Sequence, residues 1–149
     1  MHLKEHIIAS SIASAGIYAA TRSVKMTAVS FAAGVLLDLD HFVDYWKENS
    51  FNLDMRQFFK ACHECNLTKT RLFLHSAELI VLSAAAAYFT RSGIITALTL
   101  GACQHLALDQ LTNKIYPASY ILTYRWSKGF RAEAVFTNKP WEQSENLRK

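Results

Sequence analysis

Residues 94–111, IITALTLGACQHLALDQL, decide the reading of this chain. Over eighteen positions there is no proline. The only glycine inside the run is Gly101, and leucine, alanine and isoleucine dominate, so the stretch reads as an apolar α-helix. Two ionisable residues interrupt it. His105 and Asp109 are four apart, which stacks them one turn from each other on a single helical face. An imidazole and a carboxylate so placed form either an ordinary hydrogen-bonded pair or two ligands of one metal ion.

Three further segments share this character. Ile7–Ala20 lies between Lys4 and Arg22 and is preceded by His6. Met26–Leu37 runs into Asp38-Leu39-Asp40-His41. Leu72–Phe89 lies between Arg71 and Arg91 and holds His75 and Glu78, three apart. Thr21-Arg22-Ser23 and Ser92-Gly93 read as short connections, which makes helices one and two, and three and four, antiparallel neighbours. If the second helix continues, Asp38 and His41 share a face and Asp40 points away from Asp38. Between these pairs the stretch from Tyr45 to Thr70 is more polar. Leu53, Phe58, Phe59 and Cys62 give it one amphipathic helix. Tyr120 to Trp126 form a further short helix or a packed arm. The expectation is an all-α bundle of four apolar helices with one or two amphipathic ones, a single domain over 1–136, and a polar tail over 137–149.

Composition agrees. The 149 residues are 51% hydrophobic and 19% charged, and five glycines and two prolines are too few for a sandwich or barrel. The net charge of +4 is dispersed without a compact basic run, so no nucleic-acid partner is expected. Three cysteines argue against a disulfide framework and for a reducing compartment. Cys62-His63-Glu64-Cys65 has metal-motif spacing but no second pair to complete it. His6 and Glu5 interrupt the start, and no signal peptide is expected. The apolar runs fall short of the roughly 20 residues of a spanning helix. A soluble bundle with a polar core and a membrane-associated bundle both fit.

Each apolar segment thus supplies a potential ligand, and burying so many ionisable groups is costly unless they are paired or coordinated. One shared centre for a divalent metal answers that cost for all of them. Mixed nitrogen and oxygen donors suit zinc best, with manganese or iron as alternatives.

The chain also resembles a family of bacterial membrane-associated metal-dependent hydrolases that is distantly similar to zinc-dependent phospholipase C and zinc-dependent single-strand nucleases. The resemblance covers His6 to about Tyr116. It rests on His6, on Gly34-Val35-Leu36-Leu37-Asp38-Leu39-Asp40-His41, on Arg71 with His75-Ser76, and on His105-Leu106-Ala107-Leu108-Asp109. It implies metal ligation by His6, Asp38, His75, His105 and Asp109, with Asp109 bridging. Asp40, His41 and Glu78 would lie beside them, one serving as base or additional ligand. Arg71, one helical turn before His75, is placed either to pair with a phosphate oxygen or to serve as an interfacial charge at the helix end. Leu37, Thr70, Leu72 and Leu74 depart from the family pattern. No histidine follows His105, so one or two ions are implied rather than three. The implied activity is hydrolysis of a phosphoester, with a phospholipid as one candidate substrate, in association with the cytoplasmic membrane. The alternatives are a cytoplasmic location and a non-catalytic helical protein with a structural metal or a protein-interaction role.

Overall fold

The computed structural model describes residues 3–49, 51, 53–63 and 67–137, with the side chain of His63 excepted. His63, Glu64 and Cys65 of the cysteine motif, and the tail beyond Thr137, therefore lie outside what is described. The chain is all-α: α1 (Leu3–Thr21), α2 (Val24–Leu36), α3 (His41–Asn49), α4 (Met55–His63), α5 (Ala77–Thr90), α6 (Gly93–Thr112) and α7 (Leu122–Ser127), with 3-10 turns at Leu37–Asp40, Pro117–Tyr120 and Ala132–Ala134. Two isolated antiparallel bridges, Lys69 with Arg131 and Ile115 with Phe136, tie the C-terminal segment back to the body.

The α1–α2 and α5–α6 hairpins turn on the same tripeptide, Thr-Arg-Ser. Arg22 and Arg91 adopt left-handed backbone at φ 55° and 53°. Ser23 and Ser92 then cap the next helix by accepting from the amides of Met26 and Ile95. Packing pairs Gly93 with Met26, Gly101 with Ser30, and Gly34 with Gln104, so α2 and α6 run parallel. Both turns therefore lie at one end of the bundle. His6, Asp38, His75 and His105 collect at the other.

The interior of this bundle is polar and small rather than apolar. α1 buries His6, Ser10 and Ser14, α2 buries Ser30 and Gly34, and α6 buries Ala97, Gly101 and His105 among others. Ser10/Ser14, Ser30/Gly34 and Ala97/Gly101 are each four apart, a small-residue seam that lets backbones approach closely. The large side chains face outward: Ile12 is 70% exposed, Leu82 67% and Phe89 81%. α5 buries none of its fourteen residues. Among the described residues one continuous helical run, 24–49, is long and apolar enough by length and composition to cross a membrane, contrary to the expectation that every apolar run falls short, because the Leu37–Asp40 turn joins α2 to α3 without a break.

The third apolar helix begins later than its composition suggests. It starts at Ala77 with Ser76 as its cap, accepting from the Leu79 amide at 3.1 Å. Residues 71–75 are held in a non-helical loop instead. The Asp44 carboxylate accepts from the amides of Arg71 (2.6 Å) and Leu72 (3.3 Å), and Asp40 accepts from the Leu74 amide (2.9 Å). Leu72 takes φ 41°. Leu53 lies outside the amphipathic helix, but Phe58 within α4 is fully buried against Phe42 and Tyr45.

Candidate metal centre

α2 ends by tightening into a 3-10 turn at Leu37–Asp40. Two residues advance about 240° around a 3-10 axis rather than about 200°, which brings Asp38 and Asp40 closer in direction than a continuing α-helix would. Asp40 therefore does not point away from Asp38, as the α-helical reading expected. Both carboxylates flank His75. Asp38 Oδ1 lies 3.3 Å from its Nε2, and Asp40 Oδ1 lies 3.0 Å from its Nδ1, the latter without hydrogen-bond alignment.

α6 supplies His105 and Asp109. His105 Nε2 stands 3.1 Å from His75 Nε2, 3.4 Å from Asp38 Oδ1 and 3.5 Å from Asp109 Oδ2, while His75 Nε2 is 3.6 Å from Asp109 Oδ2. All four ligand atoms fall within 4.8 Å of one another. Ligands about 2.0–2.1 Å from a tetrahedral zinc are separated by about 3.3 Å, and five of the six separations here lie at 3.1–3.6 Å.

The neighbours of the outward nitrogens bear on the tautomers. His105 Nδ1 sits 2.7 Å from the Gly34 carbonyl, which can only accept, so Nδ1 carries the hydrogen and Nε2 presents its lone pair. The nearest partner of His75 Nδ1 is the Asp40 carboxylate, which likewise favours hydrogen on that side. Two Nε2 lone pairs facing each other at 3.1 Å repel unless a cation lies between them.

The surrounding charges are arranged accordingly. Burial pushes the Asp38 carboxyl up, but His105, His41 and His75 outweigh it and hold Asp38 well below the usual range. Burial likewise raises Asp109, and His105 and His6 bring it down. Burial lowers His105, yet Asp109 and Asp38 drive it up to about 10. His75 is also raised, by Asp38 and Asp40 against the effect of burial.

Of the remaining predicted residues, His6 joins the centre. Its Nε2 is 3.2 Å from Asp109 Oδ1 and its ring stacks on His105 at 4.0 Å, while Nδ1 has no hydrogen-bond partner among the described residues. His41 borders it, with Nε2 3.5 Å from Asp38 Oδ1 and the side chain 17% exposed. Asp40, His41 and His75 form a second candidate ligand group. Glu78 is placed elsewhere. It accepts from the amides of Leu122 and Thr123 and from the Thr123 hydroxyl, capping the start of α7. Burial opposes these bonds, which together outweigh it and lower the Glu78 pKa to about 2. Arg71 is not one helical turn before His75, because the intervening residues form the loop. Its guanidinium pairs with Asp44 at 3.0 Å.

Three contributors escape a reading by residue type. Asp44, fully buried, shapes the loop that presents His75. Arg125 is 1% exposed and donates to the His75 carbonyl at 2.7 Å. Burial lowers its pKa, against the opposing pull of Asp40 and Glu78. Tyr120 stacks near His75, its ring 6.2 Å away, and burial beside Asp109 raises its hydroxyl pKa. Asn113, one turn after Asp109, donates to Asp109 Oδ1 at 2.8 Å. Its spacing from Asp109 is the one signal of these partners visible in the sequence.

No protein-family model, curated protein or solved structure matches the chain.

Proposed function

We propose that this protein is a metal-dependent hydrolase, zinc being the best-suited ion, that acts on phosphoesters at a membrane. The near-tetrahedral convergence of Asp38, His75, His105 and Asp109, with both Nε2 lone pairs turned inward, carries the metal reading. A divalent ion held there by three of these ligands, with the fourth position open to water, would lower that water's pKa toward neutrality and polarise a phosphoryl oxygen. Hydrolysis forms one phosphorus–oxygen bond from water and breaks the bond to the departing alcohol. A proton must therefore leave the water, and one must reach the departing oxygen. His41 suits that traffic: it is the imidazole at the exposed edge, and it contacts Asp38. Asp40 acts through His75 by holding its Nδ1 side, a positioning role rather than that of a base. The phosphoester class rests on the order of the motifs along the chain.

The membrane reading rests on the inverted polarity of the bundle. Residues 7–21, 26–37, 79–90 and 92–104 contain no Asp, Glu, Lys, Arg or His. They form a shaft with small residues inside and Ile, Leu, Val and Phe outside. At 12 to 15 residues per helix the shaft is about 18–22 Å long, so it enters the roughly 30 Å hydrocarbon layer without crossing it.

A second reading has its own support. His75 and His105 are completely buried, and four protein ligands that close a tetrahedron are the mark of a structural site. One experiment separates the two. Turnover of a phosphodiester and of a phospholipid is measured with and without chelator, and again for His105→Ala. Chelator-sensitive turnover lost in the variant supports the hydrolase. Unfolding on chelation with no turnover of any phosphoester supports the structural metal.

A further inference from the structure

A groove of about 490 Å³ runs along the bundle between α2 and α5. Leu98 and Ala102 of α6 form its floor, Ala32 of α2 and Ile80 of α5 stand on its walls, and Leu37 and Leu74 lie at one end. Its lining is almost wholly apolar. We infer that this groove seats a single hydrocarbon chain of a membrane amphiphile, with the polar head of that molecule at the metal centre.

Three observations point to a chain rather than another occupant. Leu37 and Leu74, which line the groove, are the chain neighbours of Asp38 and His75, so one end of the groove is built by the segments that carry two of the ligands, although no ligand lines the groove itself. The groove belongs to the same uncharged shaft whose outer face is apolar, and is continuous with the surface that the membrane reading places in lipid. Third, the lining offers almost no polar atoms. A flexible chain of methylenes fits without demanding hydrogen bonds from a lining that offers few.

The inference rests on the hydrolase reading for what happens at the head group, but the binding does not require turnover. The test uses the full-length protein in detergent with an equimolar phosphatidylglycerol carrying a diazirine near the end of one acyl chain. After irradiation, labelled peptides are located by mass spectrometry. The expected result is labelling concentrated on residues 29–37, 79–83 and 98–102. Ala32→Trp, which fills the groove from its wall, reduces it at least tenfold, whereas Ile12→Trp on the exposed face of α1 leaves it unchanged. Bound metal measured on both variants confirms that each is folded, and Ser83→Leu serves if Ala32→Trp is not. Labelling spread equally over α1 and the groove overturns the inference, as does labelling indifferent to the groove-filling variant. Groove labelling with no phosphoester turnover leaves the chain site standing and removes the hydrolase. Turnover of a short-chain soluble phosphodiester without groove labelling does the reverse.

Discussion

Replacing Gly101 by alanine tests the packing that brings the centre together. A methyl group at this position overlaps the Ser30 carbonyl oxygen and lies 3.0 Å from Ala33 Cβ. Carbon atoms pack at about 3.5–4.0 Å, so α2 and α6 must part by roughly 0.5 Å or more. Overpacking of this kind costs about 1–3 kcal/mol, and a backbone oxygen cannot rotate away, which places the loss near the top of that range. Alanine returns about 0.5–1 kcal/mol of helix propensity. The net is a loss of about 2 kcal/mol, or a fall in Tm of roughly 4–8 °C for a chain of this size. Gly16 provides the control, because a methyl there meets nothing within 4 Å. Gly16→Ala should gain the propensity term alone and raise Tm by roughly 1–4 °C. Both are read by thermal loss of helical circular dichroism under one set of conditions. Gly101→Ala should also weaken metal binding, since parting the helices draws the Gly34 carbonyl from His105 Nδ1. Equal upward shifts from the two substitutions would refute the close seam.

Asp40→Asn should preserve the fold but lower metal affinity about 10–100-fold, measured by competition with a chromogenic chelator; an unchanged affinity would remove its positioning role. Glu78→Gln should destabilise by about 1 kcal/mol through loss of carboxylate caps on α7, read from denaturant midpoints. Because folding depresses the Glu78 pKa to about 2, its contribution is present above the ordinary value of 4.5 and fades as pH falls toward 2. The variant should therefore lose part of the acid-side slope of stability, and identical slopes would contradict this assignment. Chelation of a metal held at a hundredfold excess over its dissociation constant should remove about 2.7 kcal/mol and lower Tm by roughly 5–11 °C. A chelator-insensitive melt would speak against any metal held in the fold.

The fold was legible because its cues are local. Long breaker-free runs of Leu, Ala and Ile gave the helices, and Thr21-Arg22-Ser23 and Ser92-Gly93 marked the hairpins. Asp38, His75, His105 and Asp109 were legible as ionisable residues in apolar surroundings. What stayed hidden depends on contacts made across the chain. Leu72, Phe73 and Leu74 carry no helix breaker, and the segment leaves the helix because Asp44 and Asp40 accept the amides of Leu72 and Leu74 from a distance. Ser76, a strong capping residue at the true start of α5, was the available signal. The switch to 3-10 geometry that turns Asp40 toward His75 has no local signature. Glu78 looked like a site residue because a carboxylate three positions after a histidine shares its helical face, but His75 is not in the helix. Arg125 and Tyr120 lie in a mixed segment whose burial follows only from docking of α7 onto the Glu78 carboxylate.

Metal stoichiometry of the purified protein, measured by inductively coupled plasma mass spectrometry beside His105→Ala and Asp38→Ala, addresses the coordination centre itself. The arrangement of Asp38, His75, His105 and Asp109 predicts a stoichiometric divalent metal, chiefly zinc, that both substitutions abolish while helical content persists. A parent protein free of metal even after zinc is supplied, or variants that hold as much as the parent, would contradict it.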